Sequence, residues 1–349
     1  MKNQLAITAL VLTTTFTFAQ GAPTTISTTF AGSADAYYKY DLGGVDNSLT
    51  SFTNSHNSFE LGMASIEASH KMGKASVFVD LGFGNRAAQF TYNDEASTFM
   101  IKQLNFTYEL SDTFKVIAGS FATHLGYELV DAVDNKNYSM SYAFTYGPFF
   151  NTGVKAQYTS GKFSAMAGVS NPTDFKTAIE AGSTQKTFIG QVGYIGDTGS
   201  AYFNVTSGSS NPTSDENKTQ FDFVGSKKVS DSFSLGFNGT YAMTKNDFDS
   251  TLDGEWFAAV GYANYAFKES LSLAYRIEYF DGKDATAGLG ALAGTSVIGN
   301  TLSLNYKVGN LTIIPEFRID SASQDIFTNS DAAPKGIMAY ALLATTYTF

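Results

Sequence analysis

The residue types able to do chemistry are few in this chain: three histidines, no cysteine and scattered serines. Ser55-His56-Asn57-Ser58 contains the ingredients of a hydrolytic site, a hydroxyl nucleophile, an imidazole base and an orienting amide. Neighbours on one loop do not meet in the geometry that activates a nucleophile, however. His70 sits beside an expected turn and His124 opens a long connection, and spacing gives neither a partner. Metal chemistry has no better support, because paired cysteines, His-Glu-x-x-His and an ordered calcium loop are all missing from the sequence. The chain is therefore read as a non-enzyme with no catalytic, metal or cofactor residues. Its net charge of −10, with no basic patch, excludes nucleic acid as a partner.

The charges that remain are placed by period. Leu271, Leu273, Tyr275, Ile277 and Tyr279 alternate with Ser272, Arg276 and Glu278. Leu302, Leu304, Tyr306 and Val308 alternate with Ser303, Asn305 and Lys307, and Leu311, Ile313, Phe317 and Ile319 with Glu316, Arg318 and Asp320. Phe233, Leu235, Phe237, Tyr241 and Met243 repeat the pattern against Ser234, Gly236, Asn238 and Thr240. This is the two-residue period of strands wetted on one face only. A charge at a bilayer midplane costs about 2–4 kcal/mol, so the charged face must be a watery lumen and the other must meet lipid.

The elements that must hold these residues are strands of a transmembrane barrel. Ala341, Leu343, Thr345, Tyr347 and Phe349 form an apolar, aromatic-ended face in the last strand, as outer-membrane barrels commonly do. At the other end, Lys2, the apolar stretch Leu5 to Phe18 and Thr17-Phe18-Ala19 read as an export signal over 1–19, with a mature chain from Gln20. Thirty Phe and 20 Tyr against six Pro and only 15% charged residues suit strands and aromatic girdles. A two-domain soluble β protein is the rival. No window reaches the roughly 18–20 consecutive apolar residues of a membrane helix.

Short turns near 72–74, 111–112, 160–162, 196–199, 230–231, 268–269 and 309–310 alternate with longer polar connections. This predicts an all-β, antiparallel up-and-down barrel of about 16 strands over 20–349, with 14 or 18 as alternatives and both termini periplasmic. Two segments resist the pattern. In 58–71, Glu67 shares a parity with Phe59, Leu61 and Met63, which a bulge or a site near the periplasmic rim would resolve. Residues 123–150 form one connection too long and too aromatic to be idle, and we expect it to fold inward and narrow the channel. Its segment Ser139 to Tyr146 also alternates, and as a strand it would raise the count to 18. The inward loop would bring Glu128, Asp131 and Asp134 to a constriction facing Arg86, Lys155, Arg276, Lys307 and Arg318 on the wall, with Glu278 and Glu316 also lining the pore. Opposed charges across a narrow pore make a transverse field that filters ions.

His124-x-Gly126-x-Glu128, Asn137-Tyr138-Ser139-x-Ser141, Gly147-Pro148-Phe149 and Thr152-Gly153-Val154 together resemble the OmpL-like β-barrel porin family of Bacteroidetes-type outer membranes. The resemblance implies a barrel assigned as a porin and brings no substrate and no catalytic residue. The reading is a bacterial outer-membrane porin, an aqueous channel for passive diffusion of small hydrophilic solutes or ions. The alternative is a structural or adhesive barrel binding a partner through its outer loops. Lipid and lipopolysaccharide are the expected surroundings; loop acids such as Asp94-Glu95, Asp215-Glu216, Asp247, Asp249, Asp253 and Glu255 either serve solubility and the repulsion of neighbours or bridge divalent cations to lipopolysaccharide. Those acids also predict a modest cation preference. Association with further copies is left open by the sequence.

Overall fold

The computed structural model describes residues 26–94, 100–177, 185–209, 216–247, 249–283 and 288–349, and the expected leader at 1–19 lies outside the described residues. Sixteen strands form one closed antiparallel barrel in which each pairs with its neighbours in sequence. They are β1 (Ile26–Asp41), β2 (Ser58–Met72), β3 (Ala75–Phe83), β4 (Ile101–Glu109), β5 (Phe114–Ala122), β6 (Phe150–Ser160), β7 (Phe163–Ser170) and β8 (Thr187–Gly196). The second half comprises β9 (Gly199–Ser209), β10 (Glu216–Lys228), β11 (Phe233–Asn246), β12 (Gly254–Lys268), β13 (Leu271–Asp281), β14 (Ser296–Val308), β15 (Leu311–Ala322) and β16 (Ile337–Thr348). Closure is made by β1 on β16, from Ser33 opposite Thr348 to Asp41 opposite Tyr340. A closed barrel satisfies every strand N–H and C=O without water, which is what the hydrocarbon layer demands. No helix among the described residues is long and apolar enough to cross a membrane.

Alternation holds on the finished wall. Phe203, Phe223, Phe237, Tyr275, Ile277, Leu302, Phe317 and Leu343 are exposed on the outside, whereas Arg276, Glu278, Ser303, Glu316, Arg318 and Asp320 are buried inside. The conflict at Glu67 is resolved by a bulge. Between the pairs Ala34–Ala64 and Ala36–Leu61, β2 advances one residue more than β1. Phe59 and Leu61 are therefore 86% and 79% exposed, while Met63 and Ser65, of the same sequence parity, are 3% and 1% exposed and face inward.

One expectation, Arg86 on the wall, is corrected. The third strand stops at Phe83, and Gly84 turns at φ 116°. A Cβ at Gly84 would stand 2.6 Å from the carbonyl oxygen of Gly62, so only glycine fits this departure. The chain then forms a short helix, α1 (Asn85–Phe90), that buries Arg86, Ala87 and Phe90. Arg86 is thus not a wall residue. Nor is Ser139 to Tyr146 a strand: it holds a single helical turn, α2 (Tyr142–Thr145), capped by Ser141, whose side chain accepts from the Phe144 N–H.

The apolar core lies inside the barrel rather than between layers. Tyr142 and Ala143 of the long loop pack with Trp256, Val260, Tyr262, Phe280 and Val297 of one wall and with Leu292 of the connection between β13 and β14. Phe144 and Phe149 pack with Phe52 of the first loop and Phe90 of α1.

Candidate functional site: the loop-filled lumen

The long connection occupies 123–149, between β5 and β6. It is built to offer unpaired backbone donors and acceptors to the wall. Asn135 closes a local turn by accepting from the Leu129 N–H (3.0 Å) and donating to its carbonyl (2.6 Å). Beyond that turn, acids of the wall receive the backbone. Glu316 accepts from the N–H groups of Tyr138 (2.7 Å) and Ser139 (3.1 Å), and Glu278 from that of Tyr142 (2.7 Å). Arg276 donates to Glu128 (2.7 Å) and to the Ser139 carbonyl (2.5 Å), and Arg318 donates to the Met140 carbonyl (2.7 Å). Tyr142 donates its hydroxyl to Asp320 at 2.7 Å.

The adjoining wall adds a second set of anchors. Lys102, set inward by a bulge in β4, pairs with Asp131 (2.7 Å) and Asp80 (3.0 Å), and Ser65 donates to Asp131 at 2.7 Å. The Tyr138 hydroxyl donates to Asp35 at 2.5 Å. Arg86 donates to the Val130 carbonyl at 3.1 Å and lies over the Phe52 and Tyr138 rings. Burial pushes the Tyr138 and Tyr142 hydroxyls well above their usual range, so both remain donors to the carboxylates they face.

These contacts change the meaning of the sequence-predicted charges. Glu128, Arg276, Glu278, Glu316 and Arg318 are brought together, but in direct contact rather than across an open gap. Desolvating such groups is costly unless each is paired and hydrogen-bonded, and here their partners are loop atoms and one another. They hold the loop to the wall. Asp131 and Arg86 act likewise. Asp134 is exposed, its carboxyl raised by partial burial and then by neighbouring Asp131. Lys307 is exposed one residue before the end of β14, opposite Thr312 and two residues beyond Asn305, which donates to the Lys136 carbonyl of the loop (2.9 Å). Lys155 stands on β6 with its ammonium 3.8 Å over the Phe121 ring.

Several anchors escaped the sequence reading. Asp35, Tyr138 and Tyr142 alternate or cluster visibly, yet nothing in their spacing names a partner more than a hundred residues away. Lys102 was hidden by the bulge that turns it inward.

The opposite wall, β6 to β10, holds the loop through fewer side chains and without an ion pair among the described residues: Lys218 donates to the Tyr146 carbonyl (3.2 Å), and Asp174, in the connection after β7, accepts from the Phe149 N–H (2.7 Å). Gly126 donates to Asp222 (3.1 Å), a His124 ring nitrogen meets the Val205 carbonyl (3.0 Å), and Gln191 donates to the His124 carbonyl (3.4 Å). Burial depresses the His124 imidazole to about 4, so it is neutral near pH 7. Beneath it lies a cavity of about 330 Å³ lined by Gln157, Thr159, Ser164, Gln191, Tyr202 and Asn204. Toward the loop end of the same wall a narrower gap is lined by Thr187, Thr206, Ser209, Lys218 and Gln220.

A sixteen-stranded barrel, apolar outside and entered by its own long loop, is the architecture of an outer-membrane porin. The chain belongs to the family described as "Putative beta-barrel porin-2, OmpL-like", whose model matches residues 27–349. It is accordingly an outer-membrane channel protein. No curated protein matches it in sequence. Similar solved structures include a loop-deletion mutant of OmpT, an outer membrane protein of Vibrio cholerae, with 13% identity, 93% of this chain and 99% of that chain covered, and a TM-score of 0.61. An anion-selective porin from Comamonas acidovorans has 11% identity, with 93% and 100% covered and a TM-score of 0.61. The outer membrane channel DcaP of Acinetobacter baumannii has 13% identity, with 93% and 97% covered and a TM-score of 0.59. At these identities the likeness speaks for the fold.

Proposed function

We propose that small hydrophilic solutes cross this porin by passive diffusion along the seam between the inward loop and the β6–β10 wall, not along the barrel axis. The observation that carries the reading is the lopsided anchoring of the loop. Buried ion pairs and carboxylate–amide bonds fasten it to β13–β15 and β1–β4, whereas β8–β10 offer it a few bonds beside polar gaps. In this reading residues 1–19 direct export, the mature chain starts at Gln20, and the termini and short turns face the periplasm.

No chemistry is assigned to the barrel. His56 accepts from the Asp41 N–H, His70 bonds Thr28 and His124 meets the Val205 carbonyl. Several loop acids expected to bind lipopolysaccharide through cations are engaged within the protein: Asp94 with Lys176, Asp253 with Lys245, and Glu255 with Lys283. A lipopolysaccharide role would fall to the remaining acids.

Planar-bilayer recording tests the reading. The full mature chain should give steady conductance steps that sugars of increasing size progressively block, and deletion of 128–146 should enlarge them. Absence of steps would favour the structural or adhesive reading, to which the filled centre of the barrel lends some weight. Unchanged steps after the deletion would place the loop outside the path.

A further inference from the structure

Two neighbouring rows of the sheet register face the seam across β6 to β10. One runs through Thr159, Ser164, Gly193, Tyr202 and Val224, and the next through Gln157, Met166, Gln191, Asn204 and Asp222. Glycine in the middle of the first row makes a recess. A Cβ at Gly193 would stand 2.6 Å from the Ser164 hydroxyl and 2.6 Å from the Tyr202 ring, so the ring lies over bare backbone that any other residue would cover. The two rows supply most of the lining of the cavity of about 330 Å³. That volume is near the lower end, about 300 Å³, of small-molecule sites.

No carboxylate, ammonium or guanidinium lines the recess, and His124 above it is neutral near pH 7. Behind the lining stands Asp222, which makes no ion pair among the described residues and accepts from Gly126 (3.1 Å), Asn204 (2.8 Å) and Asn238 (2.5 Å). This acid sets the amides in order. Because the Asn204 Nδ2 is turned to Asp222, the Asn204 Oδ1 accepts from the Gln191 Nε2 (2.8 Å), and the Gln191 Oε1 is left without a protein partner among the described residues. The side chains of Gln157, Thr159, Ser164 and Tyr202 also engage no protein partner there. All five groups accept, and all but the Gln191 oxygen also donate.

Chemistry narrows what such a lining can hold. An anion would meet the field of Asp222, a cation would find that carboxylate turned to protein donors, and either would shed water without a countercharge. An apolar solute would strand the amides and hydroxyls. A polyol hydroxyl donates and accepts as the lining does, and the carbon face of a sugar ring packs on an aromatic ring such as that of Tyr202. Gln157 and Thr159 also line a second cavity of about 390 Å³, together with Ser111 and Thr113 of the turn after β4. The recess therefore continues toward the short-turn end of the barrel.

We infer that this recess is a binding subsite for an uncharged polyhydroxy solute, with Tyr202 as its platform and Gln157, Thr159, Ser164 and Gln191 as its hydroxyl partners. The subsite deepens the channel reading above, on which it rests, and can fail while the channel stands.

Single-channel recording of the mature chain in symmetric KCl tests it. D-glucose should interrupt the steps to an extent that saturates with concentration. A poly(ethylene glycol) of equal hydrodynamic size, an ether without hydroxyls along its chain, should show no saturation, and inorganic phosphate should leave the steps uninterrupted. Tyr202→Phe and Thr159→Val each remove one hydroxyl at nearly constant shape and should raise the half-saturating glucose concentration about fivefold. Both leave the loop's anchors untouched, so the step size in salt alone reports a closed barrel. Interruption that grows without saturation for glucose and the polymer alike, interruption by phosphate equal to that by glucose, or an unshifted half-saturation in both variants with steps intact would overturn the subsite. A parent without any steps would remove the channel reading and this one together.

Discussion

Replacing Arg276 with methionine should release the long loop while leaving the barrel closed. The Arg276 guanidinium is fully buried and donates to Glu128 (2.7 Å), to the carbonyls of Ser139 (2.5 Å) and Met140 (3.2 Å), and to Thr301 (3.1 Å). Methionine is unbranched and flexible enough to occupy much of the same channel, so the loss is chiefly of charge and donors. Glu128 and Glu278 are then left buried with one cation fewer. Breaking one side of a buried pair costs about 3–5 kcal/mol, and we take the lower end, about 3, because compensation is partial. Glu278 keeps Arg318 at 3.0 Å, and Glu128 keeps the Ser141 N–H and hydroxyl at 2.8 Å each. At about 1.4 kcal/mol per decade, this raises the undocked population of the loop roughly a hundredfold. The amides of Ser139, Ser141 and Tyr142, bonded to Glu316, Glu128 and Glu278, report that opening by hydrogen–deuterium exchange. They should exchange about a hundredfold faster while amides of β7–β9 are unchanged. A double variant with Glu128→Gln should lose less than the sum of the two single changes. Unaltered exchange at these three amides in a correctly closed barrel, or an equal acceleration throughout the wall, would refute the loop-anchor argument.

Other consequences can be read from the same contacts. Leu302 faces lipid between Tyr275 and Phe317, so Leu302→Arg should lower the stability of the barrel in vesicles by about 2–4 kcal/mol in urea titrations; a neutral result would place that face in water. A Cβ at Gly32 would stand 2.3 Å from the Phe349 ring and 2.8 Å from the Ser65 carbonyl, and Gly32 and Phe349 exchange two backbone hydrogen bonds at 3.0 Å. Gly32→Leu should therefore weaken the β1–β16 closure and lower the temperature at which the folded band is lost on gels. His124 lies near 4 when docked against an ordinary value of 6.5, because burial disfavours its cation. Between those values the undocked state binds more protons, so stability rises with pH, is complete above about 6.5 and is lost as pH falls through about 4. Unfolding midpoints of the parent should fall across that window more than those of His124→Gln, and parallel curves would rule the histidine out.

Much of the wall was legible because one face of every strand must be apolar and the other need not be. The period of two at 271–279 and 302–319 places both the lipid belt and the buried charges. The strand count followed from the alternation of short and long connections, which a closed up-and-down barrel imposes. What eluded the sequence were events that break the period locally. The bulge in β2 swaps faces between Leu61 and Met63, and the sequence could flag the clash at Glu67 without deciding how it resolves. Gly84 ends β3 by a left-handed turn that the alternation before it does not announce. The charged residues of β13 and β15 point inward, but their partners depend on where a 27-residue connection comes to rest. Parity tells a side chain which way to point and nothing about what it will touch.

The wall at β11–β13 meets hydrocarbon on its outer side and the rings of the loop on its inner side, through Trp256, Tyr262 and Phe280. Strand number fixes the girth of the cylinder, yet on the proposed path along the seam the space left for water is confined to the far side and flattened. Sieving in such a slit is governed by the thinnest dimension of a molecule, so a planar ring should pass where a bulkier isomer of equal mass is held back.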